Sequence, residues 1–566
     1  MILSLRRKKI YIRMRNRLFI LLLFISYSSF AQDTLGVQEV QVTESYIPEV
    51  PISKKITDFP EIEDTFKIPL SISYLLNSKQ YITSFSVDTI SPAKIKGEFI
   101  QKIYPTYIKL AIGNDAVPNF DLFYSSDRNK TLSYGARIGY RQSFMKANSV
   151  YNNDKTDANS SHTNLNLFAK KNFDFATVYS RFYRMGDQFT AYGVDPELQL
   201  TTSDLNQYWG YSNLDIGIYS IKNNLVNYNS VVSISDLNEQ TESSISLKSN
   251  FEGKYNDHNL SLDLKLDYFV NNFANDVSFD TTKTEEYFYS FAPKYHYLFN
   301  GIEGKYGVNI VYNNNLDTTI TAIYPDIYLE FFNVESIFNT YFGINGGLKH
   351  NSYWSFSKEN PFVLNALDNG NSSLVLRNSD IKYNIFSGFA AKLSSKIEMK
   401  SEISFAKVDQ MPFFELDNQS IYNNKFKVVY DDGSHLHLRT IIDWDFGNEE
   451  GVIVDLNYHN YALENLDSYS YKPTFSGGVT AKYNVGDKIL TQAKVFGELN
   501  RTVTNSNVNN LTSLNDFVDL NISIEYRFSK VFSSYIKANN LIGGYQLWQN
   551  YYTLSPRLQF GLLYRY

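Results

Sequence analysis

The chain contains no cysteine, and that single absence removes disulfide scaffolds, thiolate metal centres and cysteine nucleophiles together. Tryptophan is nearly missing too, with four in 566 residues, against 45 Tyr and 41 Phe. Beyond residue 31 no apolar run reaches the roughly 18 residues that a membrane-crossing helix requires. Any passage through a bilayer must therefore be made by strands. A basic stripe is also lacking: seven Lys and Arg precede Ala31, and the other 46 stand against 59 acidic side chains. That balance argues against nucleic acid as a partner.

What the chain does contain is alternation. Leu132, Tyr134, Ala136, Ile138 and Tyr140 alternate with Ser133, Gly135, Arg137, Gly139 and Arg141. Leu260 to Tyr268 repeats the pattern with Lys265 and Asp267 on the polar side, and Val518 to Phe528 repeats it with Glu525 and Arg527. The last strand places Leu558, Phe560, Leu562, Tyr564 and Tyr566 on one side. Side chains alternate across a strand, and a transmembrane strand needs only about 9 to 11 residues. On a lipid-facing surface a mid-depth Lys or Arg costs about 2 to 4 kcal/mol, whereas facing an aqueous lumen it costs little. The charged face is therefore expected inside a closed cylinder, since an open edge in hydrocarbon leaves backbone groups unpaired. Alternation by itself also fits a soluble sandwich with the apolar face inward. The leader, the terminal aromatic strand and the abundance of rings suited to interfacial girdles favour the outward choice.

The first 31 residues have the form of a secretory leader: Arg6 to Arg17 supply charge, Leu18 to Ile25 the apolar core, and Ser29-Phe30-Ala31 the small residues of a cleavage site. Residues 32–100 differ in texture, interrupted by Pro48, Pro51, Pro60, Pro69 and Pro92, and read as a periplasmic extension or a reduced plug. Residues 101–566 read as the barrel. Short connections are expected at Asn300-Gly301, Val485-Gly486-Asp487 and Ser529-Lys530, and long polar ones near 145–160, 271–284, 355–375, 409–422, 462–472 and 502–516. At about 22 residues per strand with its connection, the expected fold is an all-β transmembrane antiparallel barrel of roughly 18–22 strands. A barrel this wide encloses a lumen that side chains alone do not fill.

Ala538-Asn539-Asn540-Leu541-Ile542-Gly543-Gly544-Tyr545, followed by Pro556-Arg557 and Phe560-Gly561-Leu562, resembles the end of TonB-dependent receptor barrels, although the Gly usual between Pro and Arg is missing. Glu359-Asn360-Pro361-Phe362-Val363 and the stretch from Ile381 to Leu393 resemble a loop and strand of Bacteroidetes members of that family. The segment Asp33 to Thr43 resembles the stretch that pairs with TonB by strand addition, which would assign that contact to Val37, Glu39, Val40 and Val42. The family's plug needs well over a hundred residues, whereas only about 60 separate Thr43 from Tyr104, so the resemblance does not extend to a full plug.

The resemblance implies an outer-membrane transporter whose lumen is lined by Arg137, Arg141, Lys265, Asp267, Glu525 and Arg527. Its C-terminal strand, with Phe560, Leu562, Tyr564 and Tyr566, would engage the barrel-assembly machinery, and outer-membrane lipid would surround it. TonB or other envelope proteins would meet residues 32–100. Two other readings remain open: a structural or assembly partner in an envelope complex, and a passive porin-like channel. No enzyme signature is present: no Gly-x-Ser-x-Gly elbow, no His-Glu-x-x-His and no phosphate loop. His435 and His437 share a strand face beside an expected Asp431-Asp432-Gly433 turn, but two ligands do not complete a metal site. Asp443 and Asp445 flank Trp444 and read as solvated lumen carboxylates. Neither cofactor nor metal is expected.

Overall fold

The computed structural model describes residues 104–566 apart from 115–117, 153, 222–224, 239–241, 257, 275–280, 300, 316–317, 335–336, 365–373, 375, 421, 468 and 506–509. The leader, the 32–100 extension and the TonB-contact expectation for Val37, Glu39, Val40 and Val42 lie outside the described residues.

Among the described residues, twenty-two antiparallel strands form one sheet, at the upper end of the expected range. The sheet closes because the first strand, Thr106–Gly113, pairs both with Pro118–Ser125 and with the last strand, Arg557–Arg565. Leu110 lies opposite Leu562 across that seam, and Thr106 and Tyr566 exchange both backbone hydrogen bonds at 2.9 Å. Closure satisfies the edge groups that hydrocarbon would leave unpaired. At the seam Gly561 is required by a close approach, since a Cβ there would sit 2.2 Å from the Tyr535 ring laid over it.

The two rims differ. At the rim holding the seam's Thr106 and Tyr566 ends, neighbouring strands are joined by short turns. Phe299 is register partner of Ile302 and Val485 of Ile489, with Gly301, Gly486 and Asp487 at φ of 78°, 58° and 57°. At the Ser529-Lys530 turn, Ser529 Oγ accepts from the Val531 and Phe532 amides. The opposite rim carries the long connections, 191–205, 350–378, 417–425, 464–474, 500–516 and 540–556.

Several expected loops are shorter than their composition suggested. Strands Leu132–Asn148 and Lys155–Asn172 occupy most of 145–160, strands reach to Ala274 and resume at Thr281, and another runs to Leu416. Polar residues above the bilayer still complete the sheet ladder, so polarity marked the limit of the membrane and not the limit of the strand. The Asp431-Asp432-Gly433 turn is not present either; these residues lie inside the continuous strand Phe426–Gly447, opposite a bulge between Val408 and Met411.

Candidate functional site

Which face looks inward follows from packing. Ala147 shares the face of Arg137 and Arg141 and is fully buried in an apolar cluster with Trp209, Leu237, Phe362, Phe426 and Tyr551. Those residues come from strands and loops around the whole circumference, so they can meet only across the lumen. The opposite face carries the exposed rows: Tyr134 and Ile138 at 47% and 42%, Leu558 and Phe560 at 50% each.

The long loops converge over the mouth into a cap. Phe362 stacks on Tyr551 at 3.6 Å, and Tyr192 meets both rings edge-on at 6.0 and 5.0 Å. Phe426 and Phe414 pack against Trp548. Hydrogen bonds fix the rings: the Tyr192 hydroxyl donates to Tyr552 O and the Tyr551 hydroxyl to Asn424 O, each at 2.6 Å. Burial raises the pKa of both phenols well above the ordinary tyrosine range, so they remain neutral donors. Asn424 donates to Ala191 O at 2.9 Å, Leu364 N donates to Phe426 O at 2.8 Å, and Phe426 N donates to Phe362 O at 3.0 Å.

One buried cation holds the cap's last hairpin. Arg501 is 2% exposed. It donates to Asn515 O and Gln546 O at 2.8 Å and to Leu547 O at 3.3 Å, and its guanidinium lies 4.7 Å from the Phe517 ring centre. Burial lowers its pKa, partly offset by Glu498. Phe517 in turn stacks on Tyr545 at 3.9 Å, and Asp519 accepts from the Tyr545 hydroxyl and the Ile542 amide at 3.0 and 3.1 Å.

Beneath the cap lies a cavity of about 580 Å³, lined among others by Arg141, His162, Asp187, Lys358 and Arg557 and by Trp209, Trp354 and Trp548. Three of the chain's four tryptophans thus border one space. Trp354 stacks on Tyr211 at 4.1 Å with Lys358 Nζ 4.5 Å from its ring centre, and His162 hydrogen-bonds Asp187. Arg557 donates to Gln142 O at 2.9 Å. Three fixed cations against one carboxylate give the lining a positive balance, and flat rings supply apolar contact.

Of the residues expected to line the lumen, Arg141 borders this cavity and the others lie along the same face elsewhere. Arg137 makes a two-pronged ion pair with Asp121 at 2.9 and 2.5 Å. Lys265 contacts Asp267 at 2.8 Å, which also accepts from Ser246 at 2.5 Å. Glu525 lies between Arg527 at 3.6 Å and Arg565 at 3.7 Å. Phe560, Leu562, Tyr564 and Tyr566 all face outward on the last strand. The tryptophan convergence had no local signal, because each ring comes from a different strand or loop.

A second inward cluster joins His435 and His437 to His459, their neighbour on strand Glu450–Leu463. His435 Nε2 lies 3.0 Å from His459 Nδ1, and His437 stacks on His459 at 4.3 Å. The rings stack side by side, and among the described residues no group of three His, Asp or Glu converges as metal ligands. Asp443 and Asp445 are exposed on the inward face, and Asp445 caps the next turn by accepting from Gly447 N at 2.8 Å.

No family model matches this chain, and no curated protein sequence matches it. Solved structures do. The siderophore receptor PirA from Acinetobacter baumannii aligns with TM-score 0.60 and 10% identity over 83% of this chain and 81% of its own. The FrpB iron transporter from Neisseria meningitidis aligns with TM-score 0.60 and 8% identity, and the ferric-catecholate import receptor Fiu from E. coli K12 with 0.57 and 8%, each over 82% of both chains. These neighbours are TonB-dependent transport receptors, not enzymes. The chain has the fold of these receptors' barrels: a closed 22-strand antiparallel cylinder. Its mouth carries an aromatic cap over a tryptophan-lined, cationic cavity.

Proposed function

We propose that this protein is an outer-membrane transporter of the TonB-dependent receptor type, and that its solute rests in the cavity beneath the cap. The observation that carries the reading is the convergence of Trp209, Trp354 and Trp548 with Arg141, Lys358 and Arg557 around one inward-facing space. Such a lining suits an anion with flat apolar faces, and Fiu's role as a ferric-catecholate receptor supports the choice of iron(III) catecholate as probe. The inward rows of Arg137, Lys265, Asp267, Glu525 and Arg527 form the charged wall of the route below.

In this reading residues 1–31 are removed after Ala31, residues 32–100 form a periplasmic extension, and Val37, Glu39, Val40 and Val42 meet TonB by strand addition. The outward Phe560, Leu562, Tyr564 and Tyr566 present the last strand to the assembly machinery. The test is tryptophan quenching of the purified full chain by iron(III) catecholate, with a neutral maltooligosaccharide as comparison. Saturable quenching by catecholate, weakened at least about tenfold (about 1.4 kcal/mol) in Trp354→Ala and Arg141→Ala, is expected. No saturable change, or equal response to the sugar, refutes the assignment.

A further inference from the structure

The bilayer-facing wall is interrupted by an apolar notch of about 560 Å³ on the long-loop half of strands Glu450–Leu463, Phe475–Val485 and Ile489–Leu499. Gly477 and Gly497 are register partners, flanked in the same row by Leu456 and Val518. Two adjacent outward positions therefore carry no side chain. Phe475 and Leu499 stand one row above and Val479 and Val495 one row below, all between 40% and 45% exposed. The backbone enforces the gap: a Cβ on Gly477 would lie 2.6 Å from Asp455 O, and one on Gly497 2.4 Å from Phe517 O.

We propose that this notch holds one acyl chain of a membrane lipid, from the leaflet on the long-loop side, as a resident ligand. The notch continues the lipid-facing belt without a break, and none of its lining residues is charged, so nothing in it would orient a protein partner electrostatically. In hydrocarbon an apolar surface gains nothing from burial as such. An unfilled recess, however, forfeits dispersion contacts along its lining, and a flexible methylene chain is the one component of the surroundings that can follow its floor. Tyr458 and Phe475 meet at 4.8 Å at the upper lip, an amphipathic pair suited to the headgroup level. A chain descending from that level would lie over Gly477 and Gly497.

The test uses the full chain in phosphatidylcholine vesicles doped with a phosphatidylcholine that carries a photoactivatable acyl chain, with adducts mapped by mass spectrometry. Adducts concentrated several-fold in 475–499 over the outward face of Leu260–Tyr268 are expected. Val479→Trp and, independently, Leu499→Trp fill the recess from opposite walls and are expected to reduce that excess to background, while the folded form persists by its heat-dependent gel shift. Uniform labelling of the outward face overturns the proposal, as does an excess that survives in both folded variants. A photocrosslinker at Val479 that captures a polypeptide in native membranes in place of lipid also overturns it.

Discussion

Arg501→Met keeps the side-chain stem and removes the guanidinium, leaving Asn515 O, Gln546 O and Leu547 O without their donor. Hydrogen bonds from a charged group contribute about 1.5–3 kcal/mol each, and a buried group left unmatched forfeits a similar amount. Counting the two contacts that reach it, to Gln546 O and Leu547 O at 2.8 and 3.3 Å, the 540–556 hairpin should lose roughly 3–6 kcal/mol of its hold on the cap. At 1.4 kcal/mol per tenfold, opening of that hairpin becomes about two to four orders of magnitude more frequent. The barrel itself makes none of these contacts and should keep its heat-dependent gel shift. Hydrogen exchange reads the effect directly. The Thr553 amide, bonded to Tyr545 O at 2.8 Å, should exchange faster by that factor, while amides of the Thr106–Gly113 strand should not change. Arg501→Lys retains one charge with a smaller set of donors and should fall between. Unchanged protection at Thr553 in the Met variant would refute the reasoning that a single buried cation fastens this hairpin.

Ile524 faces lipid at 42% exposure, so Ile524→Arg should reduce stability by about 2–4 kcal/mol in a urea-folding titration in lipid, whereas Ser523→Arg on the inward face should change it by less than about 1 kcal/mol; equal losses would mean the faces are assigned wrongly. Burial pushes the Asp431 carboxyl up, but the Leu466 and Asn465 amides that bond it prevail and its pKa is lowered from 3.8. The unfolded chain then binds the proton more readily, so this anchorage of loop 464–474 is in force above about pH 4 and lost as the pH falls through the lowered value. Proteolysis of that loop should rise on acidification, and Asp431→Asn should be cut readily at every pH. Deleting 541–555 removes Tyr545, Trp548 and Tyr551 from the cap and should raise conductance in planar bilayers above the intact protein. In that opened form Arg141→Glu with Arg557→Glu should shift the reversal potential toward cations, and no shift would mean these arginines do not line the route.

The wall of the cylinder was legible in the sequence because the face a side chain takes is decided locally, by its parity along a strand. Leu264 and Lys265, or Ile524 and Glu525, declare opposite sides without reference to any other strand. Turn chemistry was equally local, as Gly301 and Gly486 illustrate. The cap was not legible. Tyr192 and Tyr551 touch across more than three hundred residues, and no spacing rule joins them. His459 was missed for a related reason: its meeting with His435 and His437 depends on the register between two strands, which alternation leaves free by any even number of residues. Loop lengths were misjudged where polar strands rise above the bilayer, since composition reports the solvent and hydrogen bonding decides the ladder.

The seam between Thr106–Gly113 and Arg557–Arg565 joins stretches that are far apart along the polypeptide. Every other wall strand pairs with a neighbour close in sequence, but this pair must be brought together from more than 440 residues apart. Until then the growing ribbon carries two raw margins, each able to zip onto a foreign strand. A variant whose Arg557–Arg565 strand cannot pair with Thr106–Gly113 would therefore leave not a slightly damaged barrel but an unclosed and adhesive one.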